Sequence, residues 1–292
     1  MRGQLEMFEQ TVIEKRPSKK VVNVSSVPQR SPFRYPGGKT WLIPTVRKWL
    51  AQDKKIVKEL IEPFAGGGIV SLTAAFESLA EKVLMIEFDP EIAAVWDVLI
   101  TGKSELFARK ILNFDLTREN VIAELENEHK RTEDIAFCTI LKNRVYHGGI
   151  IAKGSGMLKH GENGKGIQSR WYPKTLHDRI LAINEVRHKI RFNTADAFEV
   201  ITNNIDNKDA FFFIDPPYTV AGKRLYTYFD IDHEKLFELT SQIRGRYLLT
   251  YDDTPEIRLL AKKYSLKYKT IPMKTTHHLE KNEILISDNH NW

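Results

Sequence analysis

The chain has 292 residues, with 44 Lys+Arg against 38 Asp+Glu for a formal net charge of +6, and 42% hydrophobic residues. That apolar share supports a folded core and excludes wholesale disorder. No apolar run reaches the ~18 residues of a membrane span, no signal-peptide core opens the chain, and the single cysteine, Cys138, excludes a disulfide framework or an all-thiolate metal site.

The charge is unevenly placed. Residues 1–48 carry a net +7, residues 49–140 a net −7, residues 141–190 again +7, and residues 191–292 a net −1. Two basic blocks suggest a polyanion partner. A solvated tail and a lysine-decorated loop are the plainer alternative.

In chain order, residues 1–30 show no sustained period and read as an irregular lead-in. Phe33-Arg34-Tyr35-Pro36-Gly37-Gly38-Lys39 is a turn-rich loop before a helix over 40–52. A strand at 58–61 runs into Glu62-Pro63-Phe64-Ala65-Gly66-Gly67-Gly68, then a helix over 69–80, a strand at 83–86 ending on Glu87, and helical spacing after Pro90. Strand, glycine loop, helix, strand and acid is the sequence form of a nucleotide-binding βαβ unit. Residues 104–145 read as charged helix. Seven of the 16 glycines then fall between Gly148 and Gly166, among Lys153, Lys159, His160 and Lys165. Such a stretch packs no core. Helical spacing returns at 176–190. A buried strand at 210–214 ends on Asp215, followed by a helix at 233–243, a strand at 247–250, a helix at 255–264 and strands at 268–272 and 283–287. The whole reads as an α/β domain (31–104 and 191–292) interrupted by a basic insertion at 105–190.

Two motifs carry chemistry. Gly66 to Gly68 would let the backbone approach a ligand because glycine has no Cβ, and Glu87 stands 19 residues after Gly68, where a ribose-binding acid is expected, with Asp89 as second choice. The consecutive glycines do not form the spaced dinucleotide pattern. Gly37-Gly38-Lys39-Thr40 is not a P-loop, since Phe33 occupies the first glycine position. Asp215-Pro216-Pro217-Tyr218 follows a buried strand. Its prolines remove two amide donors and stiffen the turn. A carboxylate and a carbonyl can together accept both hydrogens of a flat exocyclic amine, beside an aromatic ring able to stack on the base. The histidines, including His277-His278, show no metal spacing, and Cys138 sits in an apolar helical stretch as a small buried residue.

In their order, these motifs resemble the Dam-like class of DNA adenine-N6 methyltransferases over about residues 31–290. The resemblance implies a Rossmann-like methyltransferase sheet with helices on both faces and an inserted, mostly helical target-recognition domain at 105–190. It implies S-adenosylmethionine as cofactor, held by Tyr35, Gly37, Lys39, Glu62, Pro63, Phe64, Gly66, Gly68, Glu87 and Asp196, with Asp215, Pro216, Pro217 and Tyr218 catalytic and no metal. The implied partner is double-stranded DNA, acted on in the cytoplasm by a solitary methylase or by the protective partner of a restriction endonuclease. Cytosine-N4 or RNA amino methylation, and a non-catalytic DNA-binding protein keeping the fold, stay open beside it, with a NAD-dependent dehydrogenase more distant.

Overall fold

The computed structural model describes residues 26–34, 38–53, 55–128, 130–219, 222–274 and 280–292. Most of the lead-in, Tyr35, Gly37 and the His277-His278 pair lie outside them.

Seven strands form one mixed sheet. In chain order they are β1 (Val57–Glu62), β2 (Ala80–Glu87), β3 (Ile190–Thr194), β4 (Ala210–Ile214), β5 (Arg246–Asp252), β6 (Tyr268–Lys274) and β7 (Glu280–Ser287). Spatially they lie β3-β2-β1-β4-β5-β7-β6. The first five are parallel to one another, and β7 is antiparallel to both β5 and β6. A parallel sheet is covered on both faces, so its central strands need apolar side chains on both. Strand β4, Ala210-Phe211-Phe212-Phe213-Ile214, is buried throughout. Phe211 and Phe213 join one core cluster, Phe212 and Ile214 the other.

The first face carries α1 (Ile43–Leu50), α2 (Ile69–Phe76), α3 (Pro90–Ile100), α4 (Ser104–Asn113), α5 (Arg118–Glu126), α6 (Thr132–Val145) and α7 (Pro173–Val186). Phe107, Ile111, Phe137, Ile140, Leu176 and Ile180 belong to the same cluster as Val83, Met85 and Phe213. The helices of the 105–190 segment are thus packed onto the sheet's own core. Cys138 is buried and free, and burial pushes its thiol up to about 12. The second face carries α8 (Ala197–Asn204), α10 (His233–Gln242) and α11 (Pro255–Lys263), while the short α9 (Gly222–Leu225) lies in the loop after β4. Among the described residues no helix is long and apolar enough to cross a membrane.

Differences from the sequence expectation have local causes. Helix α2 stops at Phe76, because Ser78 takes a left-handed φ of 53° and β2 begins at Ala80. Glu81 and Lys82, the second and third residues of that strand, are exposed and carry no apolar signal. Helix α7 begins with Pro173 in its first turn and ends at Val186. Ile190, read as the end of that helix, instead opens the edge strand β3, and both this strand and the α8 that follows it were unforeseen. An edge strand with Arg191, Asn193 and Thr194 exposed has little hydrophobic alternation to display.

Candidate active site

Five parallel strands deliver their carboxyl ends to one edge of the sheet. The chain runs outward from β1 through β2 to β3, then crosses back to β4, so the β1/β4 junction is a topological switch point, where α/β sheets open a ligand crevice. Glu62 ends β1, Glu87 ends β2, Asp196 lies just past β3, Asp215 follows β4, and Thr250 and Asp252 close β5. Strand β7 runs the other way, and its pairing of Glu283 with Asp252 brings a further carboxylate to the same edge.

The glycine loop turns sharply after β1, with Gly66 at φ 46° and Gly68 at φ 62°. The Gly66 N–H donates to Glu87 Oε2 at 2.8 Å, and the Trp96 indole donates to the Gly66 carbonyl at 2.8 Å. A Cβ on Gly68 would stand 2.6 Å from Met85 Cε and 2.7 Å from Trp96 Cζ2. Gly68 therefore serves the close approach of α2 to β2 and α3, with the left-handed φ as a second demand. Pro63 is buried at the bend after β1, and Phe64 meets the Phe198 ring edge-on at 6.4 Å.

Glu87 Oε1 accepts from the Phe88 and Asp89 N–H groups at 2.9 and 3.0 Å. A carboxylate offers about four lone-pair sites, so three backbone donors fix its orientation and leave acceptor capacity. Burial pushes its pKa up to about 7. Asp89, the alternative acid, caps α3 by accepting from Glu91 N–H, with Pro90 in the first turn. Asp196 caps α8, its Oδ1 accepting from Phe198 and Glu199 N–H at 2.9 and 3.0 Å while the residue stays exposed. Glu62 is buried beneath α2, accepts from Ser71 N–H at 3.0 Å, and is pushed up to about 8 by burial.

The second half of the site surrounds Asp215. Lys39, at the start of a 3₁₀ turn leading into α1, is only 4% exposed. Its Nζ lies 3.0 Å from Asp215 Oδ1 and 3.8 Å from Glu283 Oε1. The Thr250 hydroxyl donates to the same Asp215 Oδ1 at 2.6 Å. Both contacts fall on Oδ1, and among the described residues Oδ2 accepts no hydrogen bond. Tyr218 stacks on Tyr251 with centroids 5.6 Å apart and planes 24° apart, and the Lys39 ammonium stands 4.9 Å from its centroid. Tyr251 in turn bonds His233 Nδ1 at 2.7 Å. Pro216 is buried in the turn, and Gly222 N–H donates to the Tyr218 carbonyl at 2.9 Å, drawing the following loop back over the corner. The structure thus places Lys39 with the Asp-Pro-Pro-Tyr corner, and Glu62, Phe64, Glu87 and Asp196 around the glycine loop.

Sequence reasoning missed four residues here: Thr250, Tyr251, Tyr226 and Glu283. Tyr226 follows α9, and its hydroxyl is raised by burial and by Asp215. It shares a small crevice with Asp89, Ile92, Asn143, Gly149 and Ile151, between the two halves of the site. The signal for Glu283 was a charge directly before Ile284-Leu285-Ile286 in a strand that buries both faces.

Beside the site, Asn143 ties the Phe33 loop to α6: its Oδ1 accepts from Arg34 N–H at 2.8 Å, and its Nδ2 donates to the Arg34 and Gly149 carbonyls at 3.0 and 2.7 Å. Arg144 donates to the Pro32 carbonyl, and Arg179 to the Ser31 carbonyl at 3.1 Å. Burial, then the charges of Arg179 and Arg34, push Arg144 down to about 9, and Arg34 is likewise lowered by burial and by Arg170. Four guanidinium groups from both basic blocks of the sequence crowd into one place.

The sequence profile of the D12 class N6 adenine-specific DNA methyltransferases matches residues 35–275. The chain belongs to this family, and is by that membership a methyltransferase. No curated protein sequence matches it. Among solved structures it is similar to PH1948 from Pyrococcus horikoshii, at 12% identity and a TM-score of 0.40 over 87% of this chain and 83% of that one. It is also similar to the rRNA methyltransferase aviRa from Streptomyces viridochromogenes, at 12% identity and a TM-score of 0.40 over 87% and 86%.

Proposed function

We propose that this chain transfers a methyl group from S-adenosylmethionine to N6 of an adenine extruded from duplex DNA. The observation that carries the reading is the Asp215 carboxylate: one oxygen is fixed by Lys39 and Thr250, and the other is open at the switch point between β4 and the glycine-loop strand.

The donor set suits the cofactor. Glu62, Glu87, Asp89 and Asp196 gather at three adjacent strand ends, and burial holds Glu62, Glu87 and Asp89 above their ordinary range. A ligand bearing a sulfonium and an ammonium relieves such an acidic site. Glu87 keeps acceptor capacity for ribose hydroxyls and Asp196 keeps Oδ2 for the nucleobase side, while Phe64 and Phe198 supply an aromatic wall. When bound, S-adenosylmethionine supplies an electrophilic methyl group.

The chain's own work is positioning. An amine conjugated to a purine ring is a poor nucleophile. Asp215 Oδ2 and the Pro216 carbonyl accept its two hydrogens, which fixes the amine's orientation and returns electron density to nitrogen as the new bond forms. Asp215 then holds the proton that the amine must lose. Tyr218, braced by Tyr251 and Lys39, walls the pocket on the base side. A target inside the duplex must leave the stack to reach this corner. Arg34, Arg170 and Arg179, half-buried around the buried Arg144, would neutralise backbone phosphates.

Asp215→Ala tests the assignment. Lys39 keeps Glu283 as a counter-ion, so folding is expected to survive. Methylation should fall by at least about 100-fold, with S-adenosylmethionine affinity by calorimetry and DNA affinity by anisotropy within about threefold of wild type. Wild-type methylation by this variant would overturn the assignment.

A further inference from the structure

Strand β7 would be more stable with an apolar residue at position 283. Ile284, Leu285 and Ile286 are fully buried, and Glu283 itself is 5% exposed. Its Oε2 is buried and makes no well-formed hydrogen bond among the described residues, with the Tyr218 hydroxyl beside it as the nearest donor to ease its charge. A buried carboxylate with one oxygen unpaired opposes folding, so its presence calls for a reason other than stability. The groups facing it are Lys39 from the turn before α1, Asp215, Tyr218 and Tyr226 from the segment after β4, and Asp252 from β5. On the β6 side the residue opposite is the uncharged Ile271. Lys39 is the one cation in this set, placed 3.0 Å from Asp215 and 3.8 Å from Glu283.

We propose that Glu283 is a positioning residue for methyl transfer: it shares the Lys39 ammonium with Asp215, and thereby sets how much negative charge Asp215 presents to the target amine. The inference rests on the function proposed above. Lys39 bound to Asp215 alone would neutralise that carboxylate and weaken it as a hydrogen-bond acceptor, since the ammonium stabilises the charge that the amine's hydrogens must attract. A second carboxylate on the far side of Lys39 divides the attraction. It also fixes the lysine, which stands over Tyr218 and so steadies the ring that walls the pocket. The sharing requires Glu283 to be ionised. Burial, opposed by Lys39, holds its pKa at about 7, so the device switches on as the pH rises through neutrality.

The test is the single-turnover methylation rate of duplex DNA between pH 6 and 8, with S-adenosylmethionine and DNA saturating at every pH, for wild type and for the isosteric Glu283→Gln. Wild type should speed up about tenfold across this range, as expected for one ionisation near its centre. The variant should be flat, near the wild-type rate at pH 6, with S-adenosylmethionine and DNA affinities within about twofold. Glu283→Asp should regain part of the pH-dependent rise. Wild-type rates and pH dependence in Glu283→Gln would overturn the proposal. A flat wild-type profile would overturn it whether or not the variant folds. Failure of the wild-type protein to methylate adenine would sink the functional reading itself, an outcome distinct from either of these.

Discussion

At the scale of single residues, the site is a set of carboxylates held out of their usual range by burial. Glu87 at about 7 and Glu62 at about 8 both have folded pKa values raised above those of an unfolded chain. The sign follows directly: each binds its proton more tightly in the folded state, so the stability it lends is complete below about pH 4.5 and is lost as the pH climbs through 7 to 8. A cationic ligand needs the ionised forms, so its binding has the opposite dependence. S-adenosylmethionine affinity should rise about tenfold from pH 6 to pH 8, with protons released on binding. Calorimetry in buffers of different ionisation enthalpy would measure both, and an affinity independent of pH with no proton release would contradict this view of Glu62 and Glu87. The same scale explains what could be read early. Asp215, Glu87 and Asp196 sit in short motifs whose neighbours fix the backbone, whereas Thr250 and Glu283 gain their roles only through strand pairing that brings β5 and β7 beside β4.

At the scale of elements, the glycine loop shows how one residue type can meet several demands. Gly66 bends the chain so that its N–H meets Glu87, and Gly68 both adopts a left-handed φ and lets Trp96 and Met85 close over it. Gly68→Ala therefore meets a conformational cost and a steric one, together about 2–4 kcal/mol. Its urea midpoint should fall accordingly, and an unchanged midpoint would show that the loop relaxes freely. Strands buried on both faces, such as β4, were visible as apolar runs, and helices opened by Pro90 and Pro255 were visible from the helical spacing that follows each proline. The edge strand β3 and helix α8 were not. Their exposed polar residues follow neither helical nor strand periodicity strongly, and only pairing with β2 defines the strand.

At the scale of the whole molecule, the modest +6 resolves into a charge map. The acidic block runs through β1, β2 and α3 and supplies Glu62, Glu87 and Asp89 beside the glycine loop. The two basic blocks meet in space where Ser31–Arg34 is stitched to α6 and α7 by Asn143, Arg144 and Arg179. The insertion seen in the sequence is in the fold a helical layer sharing the sheet's core, with the glycine-rich 148–166 stretch lying beyond α6, where the Tyr146–Met157 bridge and short 3₁₀ turns order it. Helices α6 and α7 thus carry Arg144 and Arg179 to the Ser31–Arg34 segment, and the sheet edge carries Asp215 to the switch point. The most direct measurement of the central claim is nucleoside mass spectrometry of duplex DNA incubated with the protein and S-adenosylmethionine labelled in its methyl group. The account predicts labelled N6-methyladenine, absent with Asp215→Ala. N4-methylcytosine as the sole product, or label appearing in RNA and never in duplex DNA, would contradict it.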